Sequence, residues 1–327
     1  MKPKIAVIYG GFSSERQISI ASGQYVASII DKHKFDVFEV DISKEKWIVN
    51  GKWLIDRNDF SFYQHNEKIK FDAAVIVIHG TPGEDGKLQS YFDMIGLPYV
   101  SCNALCTALT FNKFYCNHYL ANFGINIADS IIVRPNDQID PQQIINKLGL
   151  PVFVKPNAGG SSFGTTKVKT LSDLLPAIEK ARKESAEVVI ESFIKGREIT
   201  VGVLKTSNHI QALTPCEIRS KNEFFDYQAK YNPELNQEII PAPIPDHKLN
   251  EAMQLAEKIY QLLNCSGIVR IDFILSETDD KFYFLELNSI PGMTAASIVP
   301  KMLRYDHLDI TQIYTDLIFE AMQKPKN

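Results

Sequence analysis

The chain has 327 residues, 45% of them hydrophobic and 23% charged, which is apolar material for two or three domains with cores of their own. A net charge of −4 argues against a surface built for polyanions, so no nucleic-acid partner is expected and any anion site must be local. No apolar run reaches the roughly 18 residues of a membrane span, so no membrane role is expected either. Met1-Lys-Pro-Lys4 leads straight into a short strand pattern rather than the apolar region of a signal peptide. Cys102, Cys106, Cys116, Cys216 and Cys265 are odd in number and form no Cys-x-x-Cys pair. They read as small buried side chains in a reducing compartment, and the protein as cytoplasmic.

Ile5–Tyr9 is a β-rich run ending in Gly10-Gly11; the segment through Ile30 is helical in character, and Phe35–Val40 is a second strand pattern. Ala73–Ile78 is uninterrupted apolar sequence. Such strands separated by helices indicate a parallel sheet covered on both faces, so the first hundred residues read as one doubly wound unit. Lys44–Asn66, with Trp47, Trp53 and Phe60–Tyr63, departs from that pattern and reads as an insertion, a small hairpin. Pro98–Asn103 marks a linker. Beyond it the patterning predicts a helical stretch through Phe123, a strand Val152–Lys155 closed by Pro156, and an amphipathic helix Leu171–Ser185. Strands Val188–Ile194 and Glu198–Leu204 follow, then helices Glu251–Leu263 and Leu308–Met322. The order is α/β first, then α+β.

Arg270-Ile-Asp272 and Glu286-Leu-Asn288 lie in two alternating runs joined by the polar turn Ser276–Asp280. Residues two apart on a strand share a face, so a hairpin here gathers two carboxylates, an amide and a guanidinium. Hard oxygen donors in that number suit Mg²⁺ bridging nucleotide phosphates; the plainer reading is a polar face turned to solvent. Asn157–Gly164, rich in Gly and Ser and preceded by Lys155, offers backbone N–H groups to phosphate, or is simply a turn. Gly10–Glu15 occupies the turn between the first strand and its helix, a usual ligand position, although Glu15 would also serve as a helix-start acid. His79–Gly86 is an acidic, glycine-rich loop at the end of the third strand, either a ligand loop or a capping turn. Glu191–Glu198 reads either as an adenosine contact, through Glu191, Phe193, Ile194 and Glu198, or as an ordinary turn. Glu217–Gln237 is a long polar segment whose aromatic run Phe224–Tyr231 argues for a packed lid over an active site. Cys102 and Cys106 lie four apart on a helix, but two thiols without His or a further Cys make no metal site, and they read as structural.

Together these motifs resemble the D-alanine–D-alanine ligase family of the ATP-grasp superfamily. The residues that carry the likeness occur in the family's order: Gly10-Gly-x-Ser-x-Glu15, His79-Gly-x-x-Gly-Glu-Asp-Gly86, Val154-Lys-Pro, Gly160-Ser-Ser-x-Gly164, Asp226-Tyr-x-Ala-Lys-Tyr231, Arg270-Ile-Asp272, and Glu286-x-Asn288 followed by Pro291-Gly-Met-Thr294 and Ser297. The resemblance covers nearly the whole chain. It implies an N-terminal doubly wound parallel-sheet domain (1–101) followed by a two-subdomain ATP-grasp module (102–190 and 191–327). It implies ATP-dependent joining of two D-alanines through an acyl phosphate, in peptidoglycan synthesis, by a homodimer.

Roles follow from the same resemblance. Asp272, Glu286 and Asn288 would hold two Mg²⁺, with Mn²⁺ as a substitute. Lys113 and Lys155 would meet the phosphates of ATP, with Lys230 reaching over from the lid. Gly160, Ser162 and Gly164 would close on the nucleotide, and Glu191, Phe193, Ile194 and Glu198 would hold adenosine. Glu15 would take the first ammonium, and Arg270 with the Gly292 N–H the oxyanion, one such donor being worth ~3 kcal/mol. His79, Ser297 and Ile298 would contact substrate, and Tyr231, Ser161 and Glu15 would form a group beside the second amine. The chain departs from the family at Asn112, where Asp is usual before the lysine, at Ser101-Cys102, at Ser192 and at Ser289. Rival readings are a D-Ala–D-Ser or D-Ala–D-lactate ligase (the latter tends to carry His in place of Tyr231), another ATP-grasp ligase, and a nucleotide-binding regulator without catalysis.

Overall fold

Lys4–Gly10, Asp36–Ile42 and Ala73–Ile76 form the parallel centre of the first sheet in a computed structural model that describes residues 1–160, 163–206, 209–220 and 236–323. The sheet runs from Glu67–Ile69 through Ser61–Gln64, Trp53–Asp56, Trp47–Val49, Asp36–Ile42, Lys4–Gly10 and Ala73–Ile76 to Tyr99–Val100. Alternation decides which side chains go where. Ile5, Val7, Ala73 and Val75 pack on Val26 and Ala27 of the helix Arg16–Ile29 and on Leu317 and Ile318 of the C-terminal helix Ile310–Gln323. Ala6, Ile8, Ala74 and Ile76 face the opposite way, over Leu88 and Phe92 of the helix Lys87–Ile95. Both faces are covered, as the uninterrupted apolar runs require.

The segment Lys44–Asn66 is not a separate hairpin. Its short strands extend the sheet as an antiparallel meander. Phe60 and Phe62 are 1% and 0% exposed, and Phe60 meets Phe92 edge-on at 4.9 Å, so aromatic burial holds the meander against the domain. Pro98–Asn103 is likewise only half a linker: Tyr99–Val100 adds a parallel strand, and the Asn103 side chain caps the helix Ala104–Phe111 by accepting from Cys106 N–H at 2.8 Å.

The second sheet is antiparallel, in the order Thr166–Val168, Val152–Pro156, Val188–Ser192, Ser130–Val133. Helices Pro141–Leu148 and Leu174–Arg182 cover it. The expected helix at Leu171 opens with a 3-10 turn, Leu171–Asp173, and the α-helix starts at Leu174, which places Pro176 in the first turn, where a missing N–H costs nothing. The third sheet runs Asn236–Ile239, Cys216–Ser220, Gly196–Thr206, Ile268–Ser276, Phe282–Asn288, with His209–Ala212 pairing on Gly196–Thr206. Its core takes in the helix Asp246–Leu262 and also Cys106, Cys116 and Leu120 from the two helices Ala104–Phe111 and Lys113–Ala121. The helical stretch to Phe123 is therefore broken, at Asn112, which is extended (φ −98°, ψ 97°). The expected helix at Leu308 starts at Ile310, and a separate helix Ile298–Tyr305, which the sequence reading lacked, precedes it.

Candidate active site

Asp272 pairs across the hairpin with Glu286, and Arg270 with Asn288. That register puts all four side chains on one face, and the face is largely withdrawn from solvent: the Asp272 and Arg270 side chains are 4% and 17% exposed, and that of Glu286 24%. The reading as a solvated polar face is thereby excluded. Arg270 grips Asp272 with a two-pronged contact, Nε to Oδ1 at 2.9 Å and Nη2 to Oδ2 at 2.7 Å. Thr200 Oγ1, from the adjoining strand, donates to Oδ1, and Asn288 Nδ2 donates to Oδ2 at 3.3 Å. A carboxylate has about four acceptor sites, so these four donors saturate Asp272. Asp272 and Glu286 together hold the Arg270 guanidinium above its ordinary range against the opposing effect of burial.

Glu286 opens from the hairpin into a cavity of about 490 Å³ between the second and third sheets. Lys113 and Lys155 line it with Glu286. Lys155 Nζ bonds Glu191 Oε2 at 2.7 Å; Lys113 Nζ donates to Gly159 O at 2.7 Å and stands 3.5 Å from Glu286. Burial lowers the Lys155 ammonium, but Glu191, with Glu286 and Glu198 beyond it, outweighs this and leaves its pKa raised. Phe193, Ile194 and Glu198 line the same cavity, as do Phe153, Ile274 and Phe284. It thus offers ammonium groups to an anion and apolar surface to a flat ring.

Glu15 is the N-cap residue of the helix Arg16–Ile29, with no side-chain cap bond to it. It is buried, and its carboxylate lies so near the glycine loop that a Cβ on Gly160 would come within 2.3 Å of Oε2. His79 is buried nearby, its ring nitrogen 3.3 Å from Ser22 Oγ. Burial lowers its pKa, the Glu15 charge opposing, which favours neutral imidazole. Ser297 is the N-cap residue of Ile298–Tyr305; its Oγ accepts from Thr294 N–H at 3.0 Å and lies 3.1 Å from where a Gly292 Cβ would be. Gly164 is in the left-handed region (φ +72°) and closes the glycine loop against Pro156. Ile298, partly buried, packs on the apolar core beside Met293 and Val299. Ser161, Ser162, Lys230 and Tyr231 lie outside the described residues. Of the expected lid, Glu217–Ser220 and Asn236-Gln237 are arms of an antiparallel strand pair, and the residues between them lie outside the description.

Models of two family regions match the chain: "D-ala D-ala ligase N-terminus" over residues 4–102 and "D-ala D-ala ligase C-terminus" over 119–319. The chain belongs to the D-alanine–D-alanine ligase family. Within the family it is 52% identical to the D-alanine–D-alanine ligase of Phocaeicola vulgatus over 97% of this chain and 99% of that one. A Bacteroides fragilis protein of the same name is 46% identical at the same coverage. Among solved structures, D-alanyl-alanine synthetase A from Vibrio cholerae superposes with a TM-score of 0.90 at 27% identity, covering 99% of both chains. VanG D-Ala:D-Ser ligase from Enterococcus faecalis gives 0.84 at 30% identity, covering 98% of this chain and 100% of that one.

The sequence reading of this D-alanine–D-alanine ligase family member missed residues that act at a distance in sequence. Asn112, noted only as a departure, accepts from Asn157 Nδ2 at 2.8 Å through Oδ1, which also faces Tyr115 N–H at 3.4 Å, while Lys113 N–H donates to Asn157 O at 2.9 Å. It fastens the start of the Lys113 helix to the glycine loop. Thr200 was also missed, having no local signal for its bond to Asp272. Glu84 accepts from Gly80 N–H at 2.7 Å in a buried position, and burial, then Glu15, push its carboxyl up to about 8.

Proposed function

We propose that this chain is an ATP-dependent ligase that joins two D-alanines into D-alanyl-D-alanine for peptidoglycan precursor synthesis, releasing ADP and phosphate. One arrangement carries the reading: the Arg270–Asp272/Glu286–Asn288 hairpin opens into a cavity that Glu286 lines together with Lys113 and Lys155. In the first step a D-alanine carboxylate oxygen bonds to the γ-phosphorus as the bond to ADP breaks. In the second, the other D-alanine's amine attacks the acyl carbonyl, phosphate leaves, and the amine gives up a proton.

Positioning and charge neutralisation dominate phosphoryl transfer, and each described residue has such a task. Lys113 and Lys155 meet phosphate oxygens, while Phe193, Ile194, Glu191 and Glu198 receive adenosine. Glu15 pairs with the first ammonium beside Gly160. Arg270 and the Gly292 N–H take the oxyanion. Ser297, at a helix N-terminus, receives the second carboxylate, and neutral His79 helps to seat substrate. Ser161, Ser162, Lys230 and Tyr231 are assigned through their motifs alone. Gly160 and Gly164 let the loop approach the nucleotide.

Asp272, Glu286 and Asn288 supply the hard oxygen donors that Mg²⁺ favours, and these residues would hold two such ions, Mn²⁺ substituting. The ions would neutralise charge between the β- and γ-phosphates. A metal ion held there would take the place of one of the four donors to Asp272, and Arg270, on the same face, is the cation placed to meet the developing oxyanion. Further parts of the reading are modules at 1–101, 102–190 and 191–327, a homodimer, and a cytoplasmic location, with which the lack of any helix long and apolar enough to cross a membrane among the described residues is consistent.

The relatives from Phocaeicola vulgatus and Bacteroides fragilis, 52% and 46% identical over nearly the whole chain, are both named D-alanine–D-alanine ligase, which supports D-alanine as second substrate. Tyr231 in the lid motif supports an amine over a hydroxyl nucleophile. ADP release with Mg²⁺ across D-alanine, D-serine, D-lactate and L-alanine tests the proposal. D-alanine alone should support turnover; turnover that requires D-serine or D-lactate would overturn it.

A further inference from the structure

Cys102 and Cys106 were set aside above for want of another ligand, and the fold supplies one. Cys265, 159 positions from Cys106 in sequence, lies with its sulfur 3.6 Å from that of Cys106. The three sulfurs all stand within 4.8 Å of one another. They are reduced and buried, 0%, 2% and 6% exposed respectively. Two segments converge to build the group: Cys102 precedes the helix Ala104–Phe111 rather than lying on it, with Cys106 in that helix's first turn, and Cys265 comes from the turn after the helix Asp246–Leu262. Paired bonds between Cys102 and Ser266, Sγ to O at 3.3 Å and N to Sγ at 3.4 Å, fix that turn against it. The cluster lies in the apolar core of the third sheet, apart from the residues of the proposed active site.

We propose that Cys102, Cys106 and Cys265 form a buried three-thiol site for a trivalent thiophilic metalloid, of which arsenite, As(OH)₃, is the type. Sulfur ligands select soft centres. Sulfurs held about 2.3 Å from a shared centre stand roughly 3.5 to 4 Å apart, so the Cys106–Cys265 separation already fits and Cys102 needs only a small approach. Charge selects among soft centres. Three thiolates around a monovalent or divalent cation leave net negative charge in an apolar interior, which is costly. Among the described residues no further His, Cys, Asp or Glu joins the group to complete a four-coordinate site. The trivalent hydroxide avoids the problem: three As–O bonds break, three As–S bonds form, and each thiol proton leaves with a hydroxide as water. Neutral reactants give a neutral product, and no electrons are transferred.

The test uses the full-length chain, kept reduced by a non-thiol reductant and titrated with sodium arsenite. Native mass spectrometry should show a single arsenic bound with loss of three protons, and X-ray absorption should find three sulfurs around it. Cys265→Ser should weaken binding about tenfold or more, whereas Cys216→Ser, altered elsewhere in the core, should bind as the wild type does. Absence of binding at saturating arsenite overturns the proposal, as does an arsenic with fewer than three sulfurs or equal binding by Cys265→Ser. Should Cys265→Ser not fold, the sulfur count on the wild-type chain decides.

Discussion

Lys155 and Glu191 face each other at 2.7 Å from neighbouring strands, Val152–Pro156 and Val188–Ser192, with side chains only 13% and 5% exposed. A pair this buried is coupled: removing one member strands the other's charge. Glu191→Gln should cost roughly 3 kcal/mol of stability, and Lys155→Met should weaken ATP binding at least as much as it destabilises. Denaturant unfolding of the two single variants and the double variant checks this. The double variant should be more stable than the sum of the singles implies; strict additivity would mean that the pair is not a unit.

Glu286 carries the metal-site reading because it is the carboxylate that opens into the cavity. Glu286→Gln should leave nucleotide binding measurable while lowering turnover by about two orders of magnitude, since a metal supplies several kcal/mol of charge stabilisation. Equilibrium binding of ATP and steady-state ADP release, measured side by side, separate the two effects. Wild-type turnover in this variant would remove Glu286 from the chemistry.

Gly160 approaches Glu15 more closely than any other side chain would permit. Gly160→Ala should displace the Glu15 carboxylate and raise the KM for the first D-alanine, with the folded state retained. The readout is substrate saturation together with a thermal melt, and an unchanged KM would show that Glu15 does not meet substrate there.

Glu84 makes stability depend on pH. The folded chain holds its proton up to about pH 8, whereas an unperturbed glutamate releases it near 4.5. The unfolded chain thus binds fewer protons across that interval. The stability this group contributes is full below about pH 4.5 and is lost as pH rises through 8. Glu84→Gln, which is neutral throughout, should gain on the wild type between pH 5 and pH 8 by on the order of a few kcal/mol. Parallel unfolding curves for the two proteins at both pH values would contradict it.

Asn112 is predicted to hold Lys113 in place. Asn112→Ala should cost about 1 kcal/mol through the lost cap and raise the KM for ATP, and Asn112→Asp should keep both near wild type, because a carboxylate accepts the same two N–H groups. Melts and ATP saturation curves for the pair distinguish this from a role for the amide itself.

How much of this was legible depends on sequence distance. The hairpin register could be read because its two arms are neighbours and alternation fixes which side chains share a face. The parallel sheet was legible too, since Ile5–Tyr9 and Ala73–Ile78 are unbroken apolar runs. Thr200 and Asn112 were not, since their partners Asp272 and Asn157 are brought to them by strand pairing and helix placement far along the chain. Cys265 looked like an isolated thiol until the third sheet set it beside Cys106. The Trp47–Phe60 region misled because its aromatic residues answer to a helix, Lys87–Ile95, that comes later in the sequence.

The helix Ile310–Gln323 closes one face of the sheet that Lys4–Gly10 begins. During synthesis that face is covered only by the helix Arg16–Ile29 until Ile310–Gln323 has been made, so the first sheet to emerge is finished late. A ribosome stalled before Ile310 would hold a nascent chain with Ile5, Val7 and Val75 still partly open to chaperones.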